Sequence, residues 1–114
     1  MADITITLTE TSTMGHKTVS ITVDPETFNV NSKATEVEIE WEVNVTGAPG
    51  WAFADKGIEI KGPQAIFKRT HGHAGDTTHR WKRKARDSQT YKYTIRLEKD
   101  DETTLTLDPF IFNN

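Results

Sequence analysis

Apolar side chains recur at every second position through most of this chain, a spacing that places them together on one face of a β-strand. Ile4, Ile6 and Leu8 begin the pattern, and Val19, Ile21 and Val23 repeat it. The longest run is Val37, Ile39, Trp41, Val43 and Val45, with Glu36, Glu38, Glu40 and Glu42 on the opposite side, and it predicts a central strand. Ile58 with Ile60, then Tyr91, Tyr93, Ile95 and Leu97, then Leu105 with Leu107, continue the alternation.

Turn-forming residues punctuate these runs. "VDPETFNVNSK", "TGAPG", "KGP", "HGHAGD", "RDSQ" and "KDDE" read as turns, among them Pro25 with its fixed φ and Gly50 with access to positive φ. The 18 threonines fit the same reading, since a β-branched side chain loses less freedom in a pleated strand than in a helix. About seven strands joined by short turns predict an all-β fold. The expected form is a two-sheet antiparallel Greek-key sandwich, cupredoxin-like or immunoglobulin-like, in a single domain over residues 1–114. Residues 3 to 9 are a candidate edge strand, open to pairing with another chain.

Residues 77–86, "TTHRWKRKAR", are compatible with two structures. A short helix could use Asp76 as its N-cap and place Arg and Lys toward its C-terminal end. A strand would send Arg80, Lys82, Lys84 and Arg86 to one face and Trp81 with Ala85 to the other. The strand is preferred, because a helix whose one large apolar residue is Trp81 would gain little by docking.

Composition narrows the function classes. The chain has no cysteine, which excludes disulfides, thiolate-bound metals and a cysteine nucleophile. "MADITITLTE" has neither a basic n-region nor an apolar h-region, and no stretch is long enough to span a bilayer. The expected compartment is therefore the cytoplasm, with no membrane partner. The net charge of −3 divides into −7 over residues 1–55 and +4 over residues 56–114. This balance argues against a general nucleic-acid binder but leaves room for a local basic patch.

Three stretches together resemble a known family. "ITVDPETFNVNSKATEVEIEW" is similar to the early strands of the cupredoxin-like sandwich, "TYKYTIRL" to its penultimate strand, and "LTLDPFIFNN" to its closing strand. The resemblance implies the architecture. It also implies a copper site of two histidines, a cysteine and usually a methionine, and here the pattern departs from it. Ile95 stands where the family places its cysteine, and no histidine or methionine follows His79. Without the thiolate no blue-copper centre can form, so copper electron transfer is rejected.

Four groups of residues could carry chemistry. His71, His73, Asp76 and His79 offer three imidazoles and a carboxylate for a divalent metal such as zinc or nickel, with Gly72 and Gly75 giving the loop freedom to close. The competing expectation is an exposed, mobile loop. Arg80 and Lys82 beside Trp81 could track a phosphate backbone and stack a base of single-stranded nucleic acid. The competing use of these cations is to neutralise the glutamate row, for which Lys92 and Arg96 are the nearer partners if their strand pairs with it. Trp51 and Phe53, in the loop "GAPGWAFADKG", could form a platform for a sugar ring or a partner's side chain, or else plug the end of the sandwich. The glutamate row itself offers paired carboxylates, but a solvated strand face supplies little of the burial that a general acid needs. No Gly-x-Ser-x-Gly elbow, phosphate loop or His-Glu-x-x-His helix occurs. The expectation is a non-catalytic binding or interaction module without a cofactor, whose partner is a protein or a small ligand. Metal binding at residues 71–79 is the first alternative, and nucleic-acid binding along residues 80–86 is the second.

Overall fold

The computed structural model describes residues 2–30, 35–61, 66–99 and 103–113. Among these residues ten strands form two layers: β1 (Ile4–Thr13), β2 (His16–Asp24), β3 (Thr27–Val30), β4 (Val37–Gly47), β5 (Trp51–Ile60), β6 (Phe67–His71), β7 (Thr78–Arg83), β8 (Gln89–Lys99), β9 (Thr103–Leu107) and β10 (Phe110–Asn113). One sheet has the order β2-β1-β4-β7-β6, and the other the order β3-β10-β8-β5 with β9 also on β8. No helix occurs among the described residues.

The alternating pattern sorts the side chains as expected. Ile4, Ile6 and Leu8 on β1, Ile39, Trp41 and Val43 on β4, and Tyr93, Ile95 and Leu97 on β8 are all buried between the layers. Trp41 meets Tyr93 edge-on at 5.4 Å between ring centroids, which locks the middle strand of one sheet to the middle of the other. The β1–β2 hairpin turns through Met14 and Gly15, whose φ values of 52° and 82° match the primed two-residue turn that suits strand twist. The outer part of this hairpin, residues 11–16, is exposed, and the molecule measures 50 × 23 × 22 Å.

Several expectations are corrected. Among the described residues the strands number ten and not about seven, and the pairings are not all antiparallel, because β1 runs parallel to β4 and β3 parallel to β10. β3 lies inside "VDPETFNVNSK", where turn residues hide a strand of only four residues. β6 escapes the alternation test because Phe67 is its one buried residue and the other four are exposed. β9 and β10 follow one another along the same edge of β8, separated at Asp108–Pro109. A proline cannot donate to the ladder, so the pairing breaks there. Thr94 Oγ1 donates to Asp108 Oδ1 at 2.9 Å and Tyr93 N to the Pro109 carbonyl at 3.0 Å, holding the broken segment against β8. Residues 3 to 9 are not an edge, since β1 sits between β2 and β4. Residues 78–83 form a strand, as preferred over the helix. The turns expected at "KGP" and "KDDE" lie mostly outside the described residues.

Candidate functional site

The histidine loop joins β6 to β7 and is fastened to the sandwich by main-chain bonds. Gly75 N donates to the Phe53 carbonyl at 2.9 Å, Phe53 N to the Asp76 carbonyl at 2.9 Å, and Val43 N to the Thr77 carbonyl at 2.9 Å. Asp76 Oδ2 accepts from His73 N at 3.1 Å, closing a turn in which the short carboxylate side chain stands in for a main-chain acceptor. His71 Nε2 lies 3.8 Å from Asp76 Oδ2, and the His71 and His73 rings stand 6.3 Å apart between centroids.

His79 does not join them. It pairs with Trp41 on β4, so its side chain takes the inward face, where it is wholly buried with its ring centroid 4.2 Å from that of Phe53. Neither ring nitrogen has a hydrogen-bond partner among the described residues. Burial lowers its pKa from 6.5, against opposing contributions from the His73 main chain and the Asp76 carboxylate. Gly72 is folded directly over the ring: a Cβ placed there would lie 2.3 Å from His79 Nδ1. Among the described residues no group of three or more histidine and carboxylate side chains is arranged to hold a metal ion. The sequence brings His71, His73 and Asp76 near one another, while strand parity takes His79 inside.

The basic strip divides by the same parity. Arg80 and Lys82 face outward, opposite Glu40 and Glu38 on β4, whereas Trp81 opposes Ile39 on the inner side. Arg80 Nε donates to Glu40 Oε2 at 2.8 Å and lies 3.8 Å from Glu38, while Lys82 Nζ is 3.5 Å from Glu36. The hydrogen bond to Glu40 is the main cause of a raised Arg80 pKa. Glu36, Glu38 and Glu40 are thus matched by the strip on β7, while Glu42 lies opposite Thr78. The row is not matched by Lys92 and Arg96 as expected, since β8 belongs to the other sheet and Arg96 pairs with Glu59 at 3.0 Å. A base stacked on Trp81 would therefore not share a face with the two cations. Trp81 lines instead a small cleft of about 180 Å³ with Lys56, Ile58, Glu59 and Arg69.

Trp51 and Phe53 are the first and third residues of β5 and not part of a loop, and both are buried. Trp51 Nε1 donates to Glu10 Oε1 at 2.8 Å, and Lys99 Nζ reaches the same oxygen at 2.9 Å, so one carboxylate joins the two sheets. Ile95 is likewise fully buried in the core.

A further concavity lies outside the three candidate sites read from the sequence. It lies where β2 of one sheet approaches β3, β9 and β10 of the other, encloses about 340 Å³, and is lined by Ile21, Val23, Glu26, Thr27, Leu107, Asp108, Pro109 and Phe110. Ile21, Val23 and Leu107 are only partly covered, and Phe110 is 45% exposed, one of the two large apolar residues left in solvent among those described. The sequence carried one signal for it: the Asp108–Pro109 interruption, which opens the ladder beside Phe110. Compared with known proteins, the chain matches no family model and no curated sequence.

Proposed function

We propose that this protein is a non-catalytic binding module whose ligand-binding surface is the cleft between β2 and the β9–β10 break. The reading rests on the cleft itself: about 340 Å³ of space with an apolar floor of Ile21, Val23 and Leu107, a solvent-exposed Phe110, and the carboxylates of Glu26 and Asp108 among its lining. Binding sites are commonly concave and mainly apolar, with a few polar groups that fix orientation. An exposed aromatic beside such a pocket is the kind of residue that dominates binding energy. The ligand that suits this chemistry is an extended peptide carrying one aliphatic side chain flanked by lysine or arginine. Its apolar group would fill the cleft, and its cations would meet the two acids. In this reading the likeness to the cupredoxin-like sandwich extends to architecture alone.

The test is an amide-resonance titration with an N-acetylated Lys-Leu-Lys peptide amide. The expected result is a saturable shift of amides in residues 21–27 and 107–110, with affinity falling at least about tenfold in Phe110→Ala. Binding that leaves these amides unmoved, or that is insensitive to Phe110→Ala, overturns the assignment.

A further inference from the structure

We infer that β2 is a self-complementary edge through which two copies of this chain pair antiparallel, centred on Ser20. Unpaired strand edges are templates for association, and proteins usually blunt them with short length, bulges, inserted charge or proline. The other edges here carry such devices. β6 has five residues, includes Lys68 and Arg69, and shifts register against β7 between Arg69 and His71. β5 shifts register against β8 between Phe53 and Ile58, with Lys56 at a φ of 54°. β3 has only four residues and β9 five.

β2 is the least protected: it has neither a bulge nor a proline, and its one interior charge is Lys17, beside the hairpin turn. Its nine residues, His16–Asp24, stay in unbroken register with β1, and no described segment pairs with its outer side. Five of the nine are β-branched (Thr18, Val19, Ile21, Thr22 and Val23), which suits a further strand on a pleated surface.

The hairpin geometry fixes which main-chain groups are free. In a primed two-residue turn the closing residues, here Thr13 and His16, exchange both of their hydrogen bonds. Hydrogen-bonded pairs then recur at every second position, so the even-numbered residues of β2 bond to β1. The N–H and C=O groups of residues 17, 19, 21 and 23 point away from the sheet.

An antiparallel copy centred on Ser20 uses those groups in register. Val19 of one copy lies opposite Ile21 of the other, and each pair can exchange two main-chain bonds. Thr18 then faces Thr22, and Ser20 faces its own counterpart. At each end His16 stands across from Asp24, so an imidazole donor meets a carboxylate at both limits of the pairing. Lys17 falls opposite Val23; the other pairs match in side-chain size and polarity and the whole strand matches in hydrogen bonding, which is what an isologous two-fold interface requires. Pairing would extend the five-stranded sheet to ten strands and set the Val19, Ile21 and Val23 rows of both copies on one continuous face.

Sedimentation velocity across a concentration series tests this, with Ser20→Lys and Ser20→Glu as variants. Ser20 is exposed, so both variants should keep the wild-type circular dichroism spectrum. Wild type should dimerise, each variant alone should dimerise at least about tenfold more weakly because like charges meet at the axis, and an equimolar mixture should recover the dimer. In a mixed-label wild-type sample, intermolecular Overhauser contacts should connect Val19 with Ile21. A wild-type chain that remains monomeric up to roughly 1 mM overturns the inference. So does a dimer indifferent to both charges, or one without the Val19–Ile21 contacts.

Discussion

Arg83 Nη1 donates to Asn113 Oδ1 at 3.1 Å, and both side chains are wholly excluded from solvent. The pair connects β7 in one sheet to β10 in the other. Arg83 Nη1 also lies 3.3 Å from the Val30 carbonyl, and its Nε 3.3 Å from that of Thr35, so the fork of the guanidinium spans several acceptors. Asn113 Nδ2 in turn donates to the Ala85 carbonyl and to Asp87 Oδ1, each at 2.9 Å. Asp87 accepts a further bond from the Tyr91 hydroxyl, which pushes the Tyr91 pKa up to about 12.

Replacing Arg83 should therefore be among the costlier single changes. Arg83→Ala leaves the Asn113 and Val30 oxygens without this donor and opens a cavity, for an expected loss of about 3 kcal/mol. Arg83→Lys should recover only a minor part, because an ammonium cannot reproduce the planar fork. Urea denaturation of the two variants against wild type measures both.

Gly72 and His79 should behave as one unit. Gly72 has a φ of 148°, and an added Cβ would collide with the imidazole at 2.3 Å. Gly72→Ala should destabilise by about 2 kcal/mol. In the His79→Ala background the collision is gone and the same change should cost distinctly less, so a double-mutant cycle should give a coupling of about 1 kcal/mol.

Stability should fall on mild acidification through His79. Burial holds its pKa below 6.5 in the folded chain, so the unfolded chain takes up this proton first as pH falls. The contribution is complete above about pH 6.5 and is lost as pH drops toward the folded pKa, by at most about 1.4 kcal/mol per pH unit for one proton. His79→Leu should flatten this part of the pH profile. Denaturation midpoints of wild type and variant at pH 7.5 and 5.5 compare the slopes.

Glu10 is a bond between the layers. Its Oε1 accepts from both Trp51 and Lys99. Glu10→Ala should cost about 1 to 2 kcal/mol, the partial exposure of the carboxylate and ammonium reducing their share. Glu10→Gln should cost less, because the amide oxygen can still accept from the indole. Thermal unfolding of the two variants separates the neutral bond from the charged one.

Much of the fold could be read from the chain because its period of two is strict wherever one face is buried. That period puts Ile39, Trp41, Tyr93 and Ile95 in the core, and all four are fully buried. The elements that the sequence hides are hidden for physical reasons. β3 and β6 are too short or too polar for alternation to register. Strand parity alone would have sent Arg83 inward beside Trp81, but a charged side chain is not normally assigned to a core, and the acceptors that make it tolerable come from remote segments. The candidate surface was even less legible. Ile21, Val23, Leu107 and Phe110 lie far apart in sequence, and they form a cleft only because two sheet edges meet. In the histidine loop the residue types could be read, but the direction in which each side chain points depends on where β7 begins.

The hairpin tip bears on future measurements. Met14 is 94% exposed, and the chain contains no cysteine, so Met14→Cys would supply a unique thiol for a spin label at a position that carries no core packing. In the β2 pairing the two tips point in opposite directions from the central Ser20. Twelve residue steps of extended chain would then separate the labels, roughly 40 Å, a span that pulsed electron–electron resonance can read as a ruler.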